Sequence, residues 1–148
     1  MKKQTKSIQN KITKKSDTIL CIPDLHEPAS LVGALDFCKQ VSADFGCNKF
    51  IFMGDLTDSY TLSRYEKSPN FNMTAVQEIE LAKSRILHWY KAFPEAIVLS
   101  SNHDDRIYQK AKSAAIPSLF IKDLKSILET PNWDYVPEIE VNGIFFNH

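Results

Sequence analysis

Four short apolar runs in this chain each give way, at or near their carboxyl end, to side chains that bind metals. Thr18 to Ile22 is followed by Asp24-Leu25-His26, and Lys49 to Met53 by Gly54-Asp55. Ala96 to Leu99 is followed by Ser101-Asn102-His103-Asp104, and Val141 to Phe146 by His148. Each run is short, β-branched or aromatic, and bounded by turn or polar residues, which is the pattern of a buried strand. Ligands of open α/β sheets collect beyond the carboxyl ends of the parallel strands, so residues distant in sequence can converge there. The chain is therefore expected to be an α/β protein with its chemistry at the strand tips.

The segments between the runs support a parallel sheet. Pro28 to Asp44 carries Leu31, Ala34, Leu35, Cys38 and Val41 at helical spacing and stops near Gly46. Strand, helix and strand in that order predict a βαβ unit. Thr57 to Phe71 has no clear period and reads as a loop or small lid beside the tips. Thr74 with Gln77 forms a capping-box signature for a long helix, with Ala75, Val76, Ile79, Ala82, Ile86, Leu87 and Tyr90 on its buried face and Pro94 at its end. A shorter helix with Ile107 and Ala111 and a helical segment from Ser118 to Leu128 follow. Trp133 to Val136 and Ile139 to Phe146 read as two strands, forming a hairpin or joining a second sheet.

At 148 residues, 43% hydrophobic and 24% charged, the chain suits one globular domain. Its 18 basic and 18 acidic residues cancel, but six lysines precede Asp17, leaving 12 basic against 18 acidic in the rest. We divide it into a basic N-terminal arm, residues 1–17, and a body, residues 18–148, whose acidic balance suits the collection of cations. The arm reads as a solvated tail without the apolar core of a secretory signal; nucleic-acid contact is the other role for such a basic run. Cys21, Cys38 and Cys47 form neither an even disulfide set nor a C-x-x-C spacing, so they read as core fillers in a reducing, cytoplasmic setting. No run approaches the roughly 20 apolar residues of a membrane span.

Asp24 and His26 on an extended turn can face one ion, and a carboxylate with an imidazole suits Mn²⁺, Fe²⁺ or Zn²⁺ better than Ca²⁺. Asp55, after a glycine that lets the backbone approach closely, could bridge two ions through its two oxygens. Asn102 offers a neutral oxygen and His148 another imidazole. Two divalent ions about 3.5–4 Å apart would clamp a phosphoryl group and acidify a water. His103 is then placed to protonate a leaving oxygen, with Asp104 to orient it. Arg64 and Arg106 offer planar forks for phosphate oxygens. Taken singly, each signal has a plain turn or helix-cap explanation; four in order, each after an apolar strand, are hard to explain so.

The order Asp-x-His, Gly-Asp-x-x-Asp, Asn-His-Asp and then His after an apolar strand resembles the calcineurin-like metallophosphoesterases, over nearly the whole chain from Ile19 onward. The resemblance implies an αββα sandwich, two central sheets with helices outside, incomplete at its C-terminus. It implies two divalent cations, Mn²⁺ first with Fe²⁺, Zn²⁺ or Mg²⁺ as alternatives. Asp24 and His26 would hold the first ion, Asp55 would bridge, Asn102 and His148 would hold the second, and His103 would be the catalytic acid. A phosphate mono- or diester would be the substrate, held in part by Arg106. Two departures stand out. Ser101 occupies the place of the usual glycine before Asn-His, and the family's closing Gly-His-x-His is missing, so the chain reads as an N-terminal portion in which each ion lacks one protein ligand. Such a portion would be a weak enzyme, or else a metal-binding or interaction module whose open sheet face is covered in an oligomer.

Overall fold

The computed structural model describes residues 17–148. The expected basic arm therefore lies, except for Asp17, outside the described residues, and Asp17 itself is tied to the body through an ion pair with Lys49 at 3.0 Å. The elements run β1 (Ile19–Ile22), α1 (Ala34–Phe45), β2 (Lys49–Phe52), α2 (Ala75–Ala92), β3 (Ile97–Leu99), α3 (Arg106–Ser113), α4 (Leu124–Leu128), β4 (Asp134–Val136), β5 (Glu138–Val141) and β6 (Ile144–Asn147), with 3-10 turns at Tyr60–Leu62 and Ser118–Phe120. Strands β1 to β4 form one parallel sheet in sequence order, and β5 and β6 pair as a separate antiparallel hairpin. The architecture is mixed α/β. Among the described residues no helix is long and apolar enough to cross a membrane.

Strand order decides the layering. Right-handed crossovers that always step in the same direction leave their helices on one face of a sheet, and residues of α1, α2 and α4 do share a single core cluster. The alternation of side chains along each strand sorts the sheet accordingly. Leu20, Ile22, Phe52 and Val98 face Cys38, Ile86, Trp89, Phe93, Leu128 and Trp133. Ile51 and Leu99 face the other way, onto Val141 and Phe146 of the hairpin. Trp133 is fully buried, lies 4.5 Å from the Phe52 ring and donates its indole N–H to the Phe93 carbonyl at 2.7 Å. Truncating such a residue to alanine costs about 3–5 kcal/mol.

Several local expectations change. Val141 to Phe146 is not one strand: Asn142 and Gly143, both at positive φ (54° and 78°), form the turn between β5 and β6, while Asp134–Val136 joins the parallel sheet as its fourth strand. α1 starts at Ala34 rather than Pro28, behind Gly33 at φ 88°, which leaves Leu31 and Val32 exposed. The capping box of α2 is present, with Thr74 and Gln77 exchanging hydrogen bonds, and Ala82 and Ile86 are buried as expected, but Ala75, Val76 (69%) and Leu87 are exposed whereas Glu78 and Trp89 are inside. The segment from Ser118 splits at Asp123, whose carboxylate accepts from the Ser126 N–H at 2.7 Å and starts α4. Cys38 is buried and Cys47 partly so, but Cys21 is exposed and fills no core.

Candidate metal centre

The backbone brings the strand tips together. Asp55 O accepts from both Leu25 N (3.1 Å) and His26 N (2.8 Å), Glu27 N donates to Leu56 O (2.9 Å), and Asp58 N donates back to Glu27 O (2.9 Å). The loops after β1 and β2 are thereby zipped side by side. The third tip is fastened by side chains. Ser101 Oγ accepts from Asp55 N at 2.8 Å and donates to Asp104 at 2.8 Å. The Asp104 carboxylate also accepts from Leu56 N, Thr57 N and the Thr57 hydroxyl at 2.9–3.1 Å. Burial pushes the Asp104 carboxyl above its ordinary range, against the pull of these four hydrogen bonds. Asp104 does not orient His103, as its adjacency suggested; it rivets the second tip to the third.

Gly54 lets the fourth tip approach. At φ +110° it occupies a backbone region that side-chain-bearing residues avoid, and a Cβ there would stand 2.7 Å from the His148 ring and 2.8 Å from Ser101 Cβ. His148 reaches the cluster from the antiparallel hairpin, not from the parallel sheet, so three tips belong to one sheet and the fourth to the other.

The result is a cluster around the Asp55 carboxylate, which is buried. Asp55 Oδ2 lies 3.7 Å from His26 Nε2, 4.0 Å from His103 Nε2 and 3.6 Å from His148 Nε2. Asp24 stands between two of these rings, 3.9 Å from His26 Nε2 and 4.0 Å from His148 Nε2. Two overlapping sets of potential metal donors result, His26 with Asp55 and His103, and Asp24 with Asp55 and His148. These separations exceed hydrogen-bond length. Donors sharing one ion at about 2.1 Å each stand roughly 3–3.5 Å apart, so side-chain closure on the order of 1 Å would fit a cation.

No known protein family, curated protein or solved structure matches the chain. The site must therefore be read from its own geometry and motif order.

Asp58 is a participant that the sequence reading left without a role. Its Oδ1 lies 3.3 Å from His26 Nδ1 and 3.1 Å from His103 Nδ1, and its carbonyl is 2.9 Å from His103 Nδ1. A carbonyl oxygen can only accept, so His103 Nδ1 carries a proton and its lone pair lies on Nε2. The same logic at His26, whose Nδ1 faces a carboxylate, turns its Nε2 lone pair to Asp24 and Asp55. The last position of Gly54-Asp55-x-x-Asp58 was the available signal. Arg106 also differs from expectation: it donates to Asp58 O (2.6 Å), Ser59 O (3.3 Å) and His103 Nε2 (2.7 Å), so three of its five N–H donors serve the site's own frame. Asn102 is exposed and, with Arg64 and Arg106, lines a pocket beside the cluster, while His88 lies exposed on α2, a helix that contributes no donor to either set.

Proposed function

We propose that the chain is a metal-dependent phosphoesterase of the calcineurin-like kind, hydrolysing a phosphate mono- or diester. The observation that carries this is the convergence of Asp24, Asp55 and three imidazoles from four separate segments on one carboxylate, in the motif order of that family. Asp24, His26, Asp55, Asn102 and His148 would hold two divalent cations, and Asp55, common to both donor sets, suits the bridging place. The chemistry such ions supply when bound is Lewis-acid polarisation of a phosphoryl group and acidification of a water. In the same reading the helix layer, the parallel sheet and the hairpin are the first three layers of an αββα sandwich, supported by the hairpin's packing on the sheet face opposite the helices.

The protein's own groups handle the proton. With Nδ1–H committed to the Asp58 carbonyl, only Nε2 of His103 can take or give one. That lone pair accepts from Arg106 at 2.7 Å, so the guanidinium must let go before Nε2 can take up the proton it would then give to a leaving oxygen. An arriving phosphate oxygen, a stronger partner for a guanidinium than a neutral imidazole, would draw Arg106 away and free Nε2. Arg106 thus couples substrate arrival to the readiness of the acid, besides fixing the Asp58–Ser59 backbone.

The test is hydrolysis of mono- and bis-p-nitrophenyl phosphate with Mn²⁺, alongside metal content. His103→Ala should slow turnover by about 10²–10⁴-fold, the usual range for a general acid, and lower metal content less than a change at Asp55, which belongs to both donor sets. Asp55→Asn should lower metal content. Activity that survives both substitutions refutes the mechanism.

A further inference from the structure

One wall of the candidate metal centre is shared with a second concavity. A pocket of about 550 Å³ lies beside it, lined by Arg64, Tyr65, Asn102, Arg106, Gln109 and Lys110 among others. That volume is within the range of roughly 300–1,000 Å³ usual for ligand sites. Asn102 is the neighbour of His103, and Arg106 is bonded to its Nε2, so whatever fills the pocket meets the residue that holds His103. The lining is cationic: Arg64, Arg106 and Lys110 contribute, and among the described residues no acidic side chain does. This is notable in a body, residues 18–148, with 12 basic against 17 acidic residues. A strongly one-signed concavity in an otherwise acidic surface attracts anions.

The rest of the lining is suited to a base. Tyr65 is 67% exposed, an aromatic ring held at the surface where it gains little from burial. The Arg64 guanidinium sits over it, 5.3 Å from its centroid, and donates to its hydroxyl at 3.3 Å. The rim is preformed: Lys67 Nζ donates to the carbonyls of Ser63 (2.8 Å) and Tyr65 (3.0 Å), and the Tyr60 hydroxyl accepts from Ser68 N (2.8 Å). Asn102 and Gln109 offer amides that can both donate to and accept from a base edge. Exposed aromatic and guanidinium planes flanked by cations are the means by which proteins hold single-stranded nucleotides.

We propose that this pocket binds the nucleoside and second phosphate of a nucleotide substrate, so that the phosphoryl group at the metal centre is one link of a dinucleotide or of a single strand. The link to hydrolysis rests on the phosphoesterase reading above; the binding does not. Anisotropy of a fluorescein-labelled thymidylate oligomer, measured in EDTA, tests binding without turnover. Tyr65→Ala should weaken it about tenfold, as expected for loss of one base–aromatic stack, while Tyr65→Phe keeps it. Lys110→Ala should lower the salt dependence by about one phosphate contact. Competition by pTpT against longer thymidylate then separates a dinucleotide from a strand. Equal affinity of wild type and Tyr65→Ala overturns the proposal, as does displacement by an acidic phosphopeptide as effective as that by pTpT. Tyr65-dependent binding in a protein that cleaves no phosphate ester would keep the pocket and remove the enzyme. Cleavage of p-nitrophenyl phosphate without Tyr65-dependent binding would do the reverse.

Discussion

Replacing Gly54 by alanine tests whether the fourth tip is seated as described. Gly46 is the internal reference: its φ is +60°, and a Cβ added there meets nothing within 4 Å. Gly46→Ala should therefore cost only the left-handed backbone penalty, about 1 kcal/mol. At Gly54 the φ of +110° is farther from any region an L-residue favours, and the new Cβ would stand 2.7 Å from His148 Cδ2 and 2.8 Å from Ser101 Cβ. Backbone strain of about 1–3 kcal/mol then adds to overpacking of about 1–3 kcal/mol, for a total near 4 kcal/mol. Relief comes only by moving His148 off the cluster or Ser101 off the Asp55 N–H, and either displaces a metal donor. Urea denaturation should separate the two variants by about 3 kcal/mol, and Mn²⁺ titration calorimetry below the melting range should show at least about tenfold weaker binding for Gly54→Ala alone. If the two alanines cost the same and bind Mn²⁺ alike, His148 does not pack over Gly54 and the four-tip centre is wrong.

Two further substitutions probe the frame around the site. Asp104→Asn leaves two of the four donors to this side chain without an acceptor, and denaturant midpoints should fall by an amount equivalent to about 2–4 kcal/mol at neutral pH. Because burial raises the Asp104 carboxyl, the folded state holds its proton to higher pH than the unfolded state; stability should decline as pH rises from about 4 through the raised value and then level, a slope that Asp104→Asn abolishes. Glu78 accepts from Tyr60 N (2.6 Å), Thr61 N (2.9 Å) and the Thr61 hydroxyl (2.5 Å). Glu78→Gln gives up one acceptor oxygen at about 1–2 kcal/mol, so trypsin should cut after Arg64 or Lys67 about tenfold faster; unchanged cutting would mean that Glu78 does not hold the loop.

How much of this was legible varies with the range of the interaction. The first three parallel strands, the long capped helix and the donor types at the tips are local patterns, and they appear where period and caps put them. The hairpin turn was also locally encoded, as Asn142-Gly143 between alternating apolar residues, but the surrounding Val141, Ile144 and Phe146 let it pass as one strand. Other features were beyond local reading. Glu78 looks like a solvated helix charge until the Tyr60–Leu62 turn is seen to need two acceptors. Asp104 looks like the partner of His103 because they are adjacent, whereas the side chain that holds His103 Nδ1 belongs to Asp58, 45 positions away. Consecutive side chains beyond a strand point in different directions, so adjacency is a poor guide to partnership there.

The backbone gives an independent reason to read the centre as built for its donors. His26 and Asp55 both lie in the left-handed region, at φ 52° and 47°. Asp and His tolerate it better than branched residues do, yet such positions cost of order 1–3 kcal/mol each unless glycine takes them. Turn formation alone would be served better by glycine or asparagine at both places. Instead the two strained residues face one another, His26 Nε2 3.7 Å from Asp55 Oδ2, and His26 N is bonded to Asp55 O. The left-handed twist aims each side chain across the zipped loops rather than outward. Ser59, Ala115, Glu129 and Asn142 also take positive φ, in turns and at helix ends; what sets His26 and Asp55 apart is that they face one another, so the strain there falls where it places two donors.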